Sequence, residues 1–473
     1  MTNAAEYSLA LLLTGALLSY VGGPRLKAAC LWLIPAAAVL LIVGISQHGS
    51  GWWRVDRLGV PIGIAALVIG GCALHYANRQ FHGERRADGI IASSFVVIAT
   101  VLASDLAANP AALVVSWVAT SISVILLLWA GSGNWSRSIT AHAAKTFVLT
   151  DTCLVAGSLL GWWVVGRHAM TTSFGAHLPR GGAGAVILLA AAAVAAMGRA
   201  GLTTRSSWVV GTIATPTSLS ALLHAGVVNA GALLLIRIEG LTGSIWGVEI
   251  VLIALSLSVL VVLAPRIHAR VDLKGQLAVS TVAQMAFMFL TLALGWPVLA
   301  ITHLIGHGLY KAGRFMAAGG ALESRSRQRR QAPQGKHISS AMKVLGCVGI
   351  VLIATTFGVT QGGGVLAAMG VFGPGAVVLW LTRTKQPTIR PLATWIVLVL
   401  GLSVYGCLLV GCERLLGSSL PTTLWHAPWW LLGVLVAIVS TVTTRWGHRA
   451  SSPVAVGVPH APFIDHIPVG EAA

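Results

Sequence analysis

Long apolar runs recur from one end of this chain to the other, and that recurrence constrains its fold more than any other feature. Ala28–Ile45, Leu58–Tyr76, Gly89–Leu106, Ala111–Gly131, Trp246–Ala264 and Leu392–Cys412 are examples. Each approaches the ~20 apolar residues that carry a helix across a bilayer. With 56% hydrophobic and 9% charged residues over 473 positions, the chain has too little polar surface to clothe a water-soluble fold of this length. A helix satisfies its own backbone hydrogen bonds in lipid, whereas an open strand does not. The pattern therefore predicts an all-α polytopic membrane protein with about fifteen transmembrane helices.

The first run, Leu9–Val21, reads as a retained helix and not as a signal peptide. The residues before it carry Glu6 and no basic group, and no small-x-small cleavage pattern follows. The formal net charge of +18 is a topology signal, not a nucleic-acid footprint, because basic residues cluster in alternate loops. One set runs through Arg25, Lys27, Arg85, Arg86, Arg137, Arg205, Arg270, Lys274, the Arg325–Arg330 cluster and Arg445. The opposite set holds few, among them Arg54, Arg57, Arg167, Arg180 and Arg414. By the positive-inside rule the rich set is cytoplasmic, which puts the N-terminus outside and the C-terminus in the cytoplasm. The division predicted is a bundle over residues 1–445 and a cytoplasmic tail over 446–473, whose Pro453, Pro459, Pro462 and Pro468 oppose helix. The charged loop Glu323–His337 is either a contact for anionic lipid or a docking surface. The six cysteines lie mostly in or beside apolar runs, without metal-ligand spacing or a disulfide framework.

Polar groups inside apolar helices are costly, and they usually face a cavity or a proton path. His303, His307, Lys311 and Arg314 are spaced four, four and three apart, which places them on one helical stripe. Imidazole exchanges protons near neutrality, so such a stripe can act as a relay. The alternative is a side-chain row snorkelling to the membrane surface, which suits Arg314 better than His303. His224 stands alone in Ser220-Ala-Leu-Leu-His224-Ala-Gly, either as a relay link or as a satisfied core residue. Asp151 lies within a run that also contains Lys145, but six residues apart the two do not share a helical face. Asp151 needs a partner from another helix, with Arg199 and Lys311 as candidates. Between Arg199 and Thr215, Gly201, a cluster of hydroxyls and the following Pro216 predict an interrupted helix near 199–215. No nucleophile elbow, metalloprotease, Walker or dinucleotide motif is present in its required setting, so the chain reads as a transporter component and not an enzyme.

These motifs are similar to those of the proton-translocating antiporter-like subunits, a family that includes subunit L of respiratory NADH-quinone oxidoreductase and the Mrp cation/proton antiporters. The resemblance covers about residues 105–319. It is carried by Thr215-Pro-Thr-Ser-Leu-Ser-Ala-Leu-Leu-His224, by Asp272-Leu-Lys-Gly-Gln-Leu-Ala-Val-Ser-Thr-Val-Ala-Gln284 and by His303–Gly319. Within that superfamily the chain looks most like the DabB branch, the membrane subunits of the DAB inorganic-carbon accumulation complex. Where the respiratory subunits carry Trp-Glu, this sequence has Trp117-Val118, which fits the DabB branch better. By position, the resemblance puts Arg199 at the broken-helix lysine, His224 at the next-helix histidine and Lys311 at the later lysine. Arginine does not release its proton, so Arg199 would tune a partner and not relay.

The resemblance implies an ion-translocating subunit of an energy-coupled CO2/bicarbonate uptake complex in the bacterial inner membrane. It also implies a peripheral DabA-like partner on the cytoplasmic side that carries zinc, no cofactor in this chain, and protons or sodium as coupling ion. The expected path uses Lys311, His307, His303, His224, Asp151, Arg199 and Lys145. The alternative is a subunit of a cation/proton antiporter or respiratory NADH-quinone oxidoreductase-type complex. A third reading, a scaffold subunit that no longer conducts, follows from the altered relay positions.

Overall fold

The computed structural model describes residues 4–45, 51–131, 136–166, 182–202, 208–269 and 272–319, together with 171, 173–174, 407 and 410–416. The loop Glu323–His337, the tail and most of the late apolar runs lie outside the described residues. Within them the chain is helical: α1 (Ala4–Val21), α2 (Pro24–Cys30), α3 (Leu33–Gly44), α4 (Gly59–Gln80), α5 (Ala87–Asp105), α6 (Pro110–Ala130) and α7 (Ser136–Val165). They are followed by α8 (Ala183–Arg199), α9 (Trp208–Gly211), α10 (Thr217–Ala225), α11 (Ala230–Thr242), α12 (Trp246–Ala269), α13 (Leu273–Ala293) and α14 (Pro297–Ala318). Nine spans among the described residues are long and apolar enough to cross a bilayer. The all-α polytopic architecture expected from hydropathy is therefore present, while the expected total of about fifteen extends into residues not described.

Local sequence sets several helix ends. Asn109 accepts a hydrogen bond from the Ala112 amide at 2.9 Å, and Pro110 occupies the first turn of α6. Asp272 caps α13 through the Gly275 amide at 2.5 Å, and Pro297 opens α14. Close helix approach uses small residues, as bilayer packing requires. Gly157 of α7 lies against Ala191 of α8, and Gly231 of α11 lies against the Ala196 backbone and Phe289.

The centre of the bundle is the span Thr217–Thr242, whose most apolar stretch is 94% buried. It comprises α10 and α11, which pack on α4, α8 and α14. Outward faces carry bare apolar side chains such as Leu17, Trp32, Trp129 and Trp163, the surface that lipid covers.

Two interruptions break the regular spans at the centre. The first matches the expectation near 199–215: α8 stops at Arg199, Gly201 takes a φ of 66°, and the short α9 is followed by a 3-10 turn, Thr212–Ala214. The second lies just after His224. α10 ends at Ala225, a 3-10 turn spans Val227–Asn229, and α11 then starts at Ala230. The break follows from Gly226 and from Asn229, whose Nδ2 donates to the Ala225 carbonyl at 2.6 Å and satisfies an acceptor freed by the break.

Candidate ion path

Two buried polar clusters flank the broken spans. The first joins α6, α7 and the end of α8. Arg199, 1% exposed, donates through Nη2 to Ser121 Oγ at 2.6 Å and to the Trp117 carbonyl at 3.1 Å. Its guanidinium carbon lies 4.1 Å from the Trp117 ring centroid and 5.1 Å from that of Phe147, within cation–π range. Asp151 receives the Trp117 indole N–H at 3.0 Å and the Ser121 hydroxyl. The charges themselves stand 3.9 Å apart, so Ser121 mediates between them. This pairing settles which candidate partner Asp151 takes: Arg199, not Lys311. Lys145 is exposed on α7 and does not join the cluster. Val118 is half-buried beside Trp117, and the carboxylate on that indole comes from α7 instead.

The second cluster lies where α14 faces α13. Lys311, 1% exposed, donates to the Leu277 carbonyl at 2.9 Å and to Ser280 Oγ. One turn earlier is His307, buried, and another turn earlier His303; their rings stack with centroids 5.8 Å apart. On α13 the facing row is Ser280, Gln284 and Phe287, and the Phe287 ring meets His303 edge-on at 5.1 Å. Both ring nitrogens of His307, Nε2 of His303 and Oε1 of Gln284 are buried without hydrogen-bond partners. Buried polar atoms are normally paired, and this row carries several that have no protein partner. Arg314, the last member of the sequence stripe, is exposed.

His224 is fully buried between the two interruptions. Its Nε2 pairs with Thr212 Oγ1 at 2.9 Å, and its ring stacks on Phe315, one turn beyond Lys311, at 4.4 Å. Thr215 Oγ1 pairs with Ser220 Oγ at 3.0 Å, and the Thr215 carbonyl accepts from Lys274 Nζ at 3.1 Å. These residues adjoin a cavity of about 500 Å³ lined by Gln80, Glu84, Arg86, Thr215, Pro216 and Lys274. Hydroxyl groups thus link an open polar recess to His224. Sequence reasoning did not single out Ser121, Ser280, Thr212 or the Trp117 indole. Their one signal is a hydroxyl or indole on the same helical face as a charged site.

A multi-helix bundle with two broken spans beside a Lys–His–His row is an all-α polytopic membrane-subunit architecture. The chain belongs to the NADH:quinone oxidoreductase/Mrp antiporter transmembrane family, whose profile matches residues 107–382. It is 31% identical over 304 residues to the Bacillus subtilis protein named probable inorganic carbon transporter subunit DabB, covering 61% of this chain and 58% of that relative. The Bacillus anthracis protein of the same name is 29% identical over 298 residues, covering 60% of this chain and 57% of the relative. The matched region thus spans less than two thirds of either relative. The fold is also similar to the Mrp complex from Dietzia, with a TM-score of 0.59 at 20% identity, covering 93% of this chain and 49% of that one.

Proposed function

We propose that this chain is the ion-conducting membrane subunit of an energy-coupled inorganic-carbon uptake complex. The observation that carries the conducting part is the buried Lys311–His307–His303 row, whose free nitrogens continue from a cation held by a carbonyl and a hydroxyl. The carbon part is supported by the relatives named for that transport and by Val118 at the position discussed above.

In this reading protons, or sodium, descend their gradient along Lys311, His307 and His303, with His224 as the link to the recess at Thr215. A neutral imidazole accepts a proton on one nitrogen and donates from the other, so two stacked rings pass charge by ring reorientation and short hops. Lys311 supplies a mobile proton at the head of the row. Arg199 holds a fixed positive charge, and Asp151 balances it through Ser121; a change in that pairing alters the field along the row and gates it. The chain performs no covalent chemistry itself. CO2 hydration falls to a DabA-like zinc subunit docked on the cytoplasmic side, the side of the basic loops and of the tail. The N-terminus then faces outside.

The test is co-expression with a DabA-like zinc subunit, in bacterial cells lacking carbonic anhydrase. Growth in ambient air is expected with both chains, and its loss with Lys311→Ala. No rescue with both chains present in the membrane would overturn the carbon reading. Rescue untouched by Lys311→Ala and His307→Ala would overturn the conducting one.

A further inference from the structure

The row on α14 runs toward the end of the bundle where α5 and α11 terminate, and there a carboxyl group stands unused. Asp105, the last residue of α5, is 1% exposed, and its Oδ2 has no hydrogen-bond partner. The nearby cation does not pair with that carboxyl. Arg237 of α11 makes a two-pronged bond to Asp56, at 2.8 and 3.2 Å, and donates at 2.6 Å to the backbone carbonyl of Asp105. The structural contact at this position is therefore made by the main chain, which any residue supplies. The Asp105 side chain is left over.

It lines a cavity of about 20 Å³, shared with Asn229, Gly226 and Leu304. That volume admits one water molecule. Asn229, 5% exposed, commits its Nδ2 to the Ala225 carbonyl and leaves Oδ1 without a partner. The two free groups are complementary, since a carboxyl can carry a proton and an amide oxygen can only accept a hydrogen bond. Leu304 belongs to the turn of α14 between His303 and His307. The next residue after His307, Gly308, is so close that a methyl group built on it would lie 2.9 Å from the Ala225 carbonyl oxygen and 3.1 Å from Asn229 Nδ2. The cavity is thus the seam where α4, α5 and the second interruption meet α14, which contributes Leu304 from the turn between the two histidines.

The geometry points to Asp105 as the ion-exchanging carboxylate through which the path leaves the histidine row, toward the end of the bundle marked by Asp56 and Arg237. This rests on the conducting reading and extends it by a residue and a direction. A proton arriving by way of the seam forms the O–H bond of the Asp105 acid, and its release on the far side restores the carboxylate. Arg237 and Asp56 face this group, and their mutual pairing keeps Arg237 from trapping the carboxylate as a permanent salt bridge.

The test uses the assembled complex in proteoliposomes, with an entrapped pH-sensitive dye reporting flux. Asp105→Asn preserves shape and the main-chain contact, and flux is expected to fall roughly a hundredfold, as for loss of a positioned proton carrier. Asp105→Glu is expected to retain most of it. Lys311→Ala is the reference: if it abolishes flux while Asp105→Asn leaves flux intact, this inference is wrong and the conducting reading survives. If neither variant changes flux, both fail. A second arm needs no substitution. Dicyclohexylcarbodiimide, which modifies protonated carboxyls in apolar surroundings, is expected to block flux with the adduct mapping to Asp105; absence of an adduct there would overturn the assignment even if Asp105→Asn failed to assemble.

Discussion

The Arg199–Asp151 cluster and the His303–Lys311 row are built from the same kinds of residue at comparable burial, yet they are wired in opposite ways. Around Arg199 the contacts converge on an ion pair: indole to carboxylate, hydroxyl to carboxylate, and guanidinium Nη2 to hydroxyl and to carbonyl, while Nε and Nη1 lie buried without partners. Along α14 only the lysine end is held, and the imidazoles beyond it are not. A guanidinium that does not release its proton stays a fixed charge, whereas a neutral imidazole can accept a proton and donate one. The two regions differ in what their buried groups can do: one holds a permanent ion pair, the other a row of groups able to exchange protons.

Breaking one partner of the Arg199–Asp151 pair should have the largest effect on stability. Arg199→Leu strands the Asp151 carboxylate in the core and is expected to cost about 3–5 kcal/mol, with Arg199→Leu/Asp151→Leu recovering much of the loss. Unfolding of the purified protein in detergent measures both; equal stability of the two variants would break the comparison. The open row should respond in function and not in fold. Lys311→Arg keeps the positive charge but cannot release a proton at physiological pH, so ion flux should fall by roughly a hundredfold. Undiminished flux would mean the row conducts without proton release from position 311.

Smaller effects sharpen the contrast. Ser121→Ala removes the hydroxyl between Arg199 and Asp151 and should cost about 1–3 kcal/mol by the same unfolding measurement, because both charges remain buried. Lys145→Ala, on the exposed side of α7, should stay within about 0.5 kcal/mol and leave flux unchanged. A strong effect at Lys145 would restore it to the path.

The legibility of these features in sequence follows their physics. Hydropathy betrays spanning helices because lipid leaves the backbone no alternative, and the 303–307–311 spacing betrays the row because four-residue steps keep one face. The break after Arg199 was visible through Gly201 and Pro216. The break after Ala225 was not, because Gly226 sits inside a continuous apolar run and the repair comes from the Asn229 side chain, a contact no spacing rule encodes. Ser121 and Ser280 were equally silent. Hydroxyls in helices commonly bond back to a preceding carbonyl, as Ser94 does to Ile90 and Thr120 to Ser116, and only the fold distinguishes those that also meet a charge. Lys145 looked like a member of the path only through its nearness in sequence to Asp151.

The bare tryptophans on the outer faces have a mechanical consequence. Trp129 near the end of α6 and Trp163 near the end of the antiparallel α7 lie at opposite ends of the bundle, 71% and 80% exposed, and Trp246 opens α12, 71% exposed. Indole rings prefer the headgroup boundary, so such residues moor the bundle at both membrane surfaces. A bundle moored on both sides meets a thinner or thicker bilayer by tilting or kinking its helices, or by local adjustment of the lipid. The compliance lies in the spans with the fewest continuous backbone bonds, at Gly201 and Gly226. Reconstitution in lipids of shorter or longer acyl chain is expected to change ion flux, if the groups between these breaks carry it.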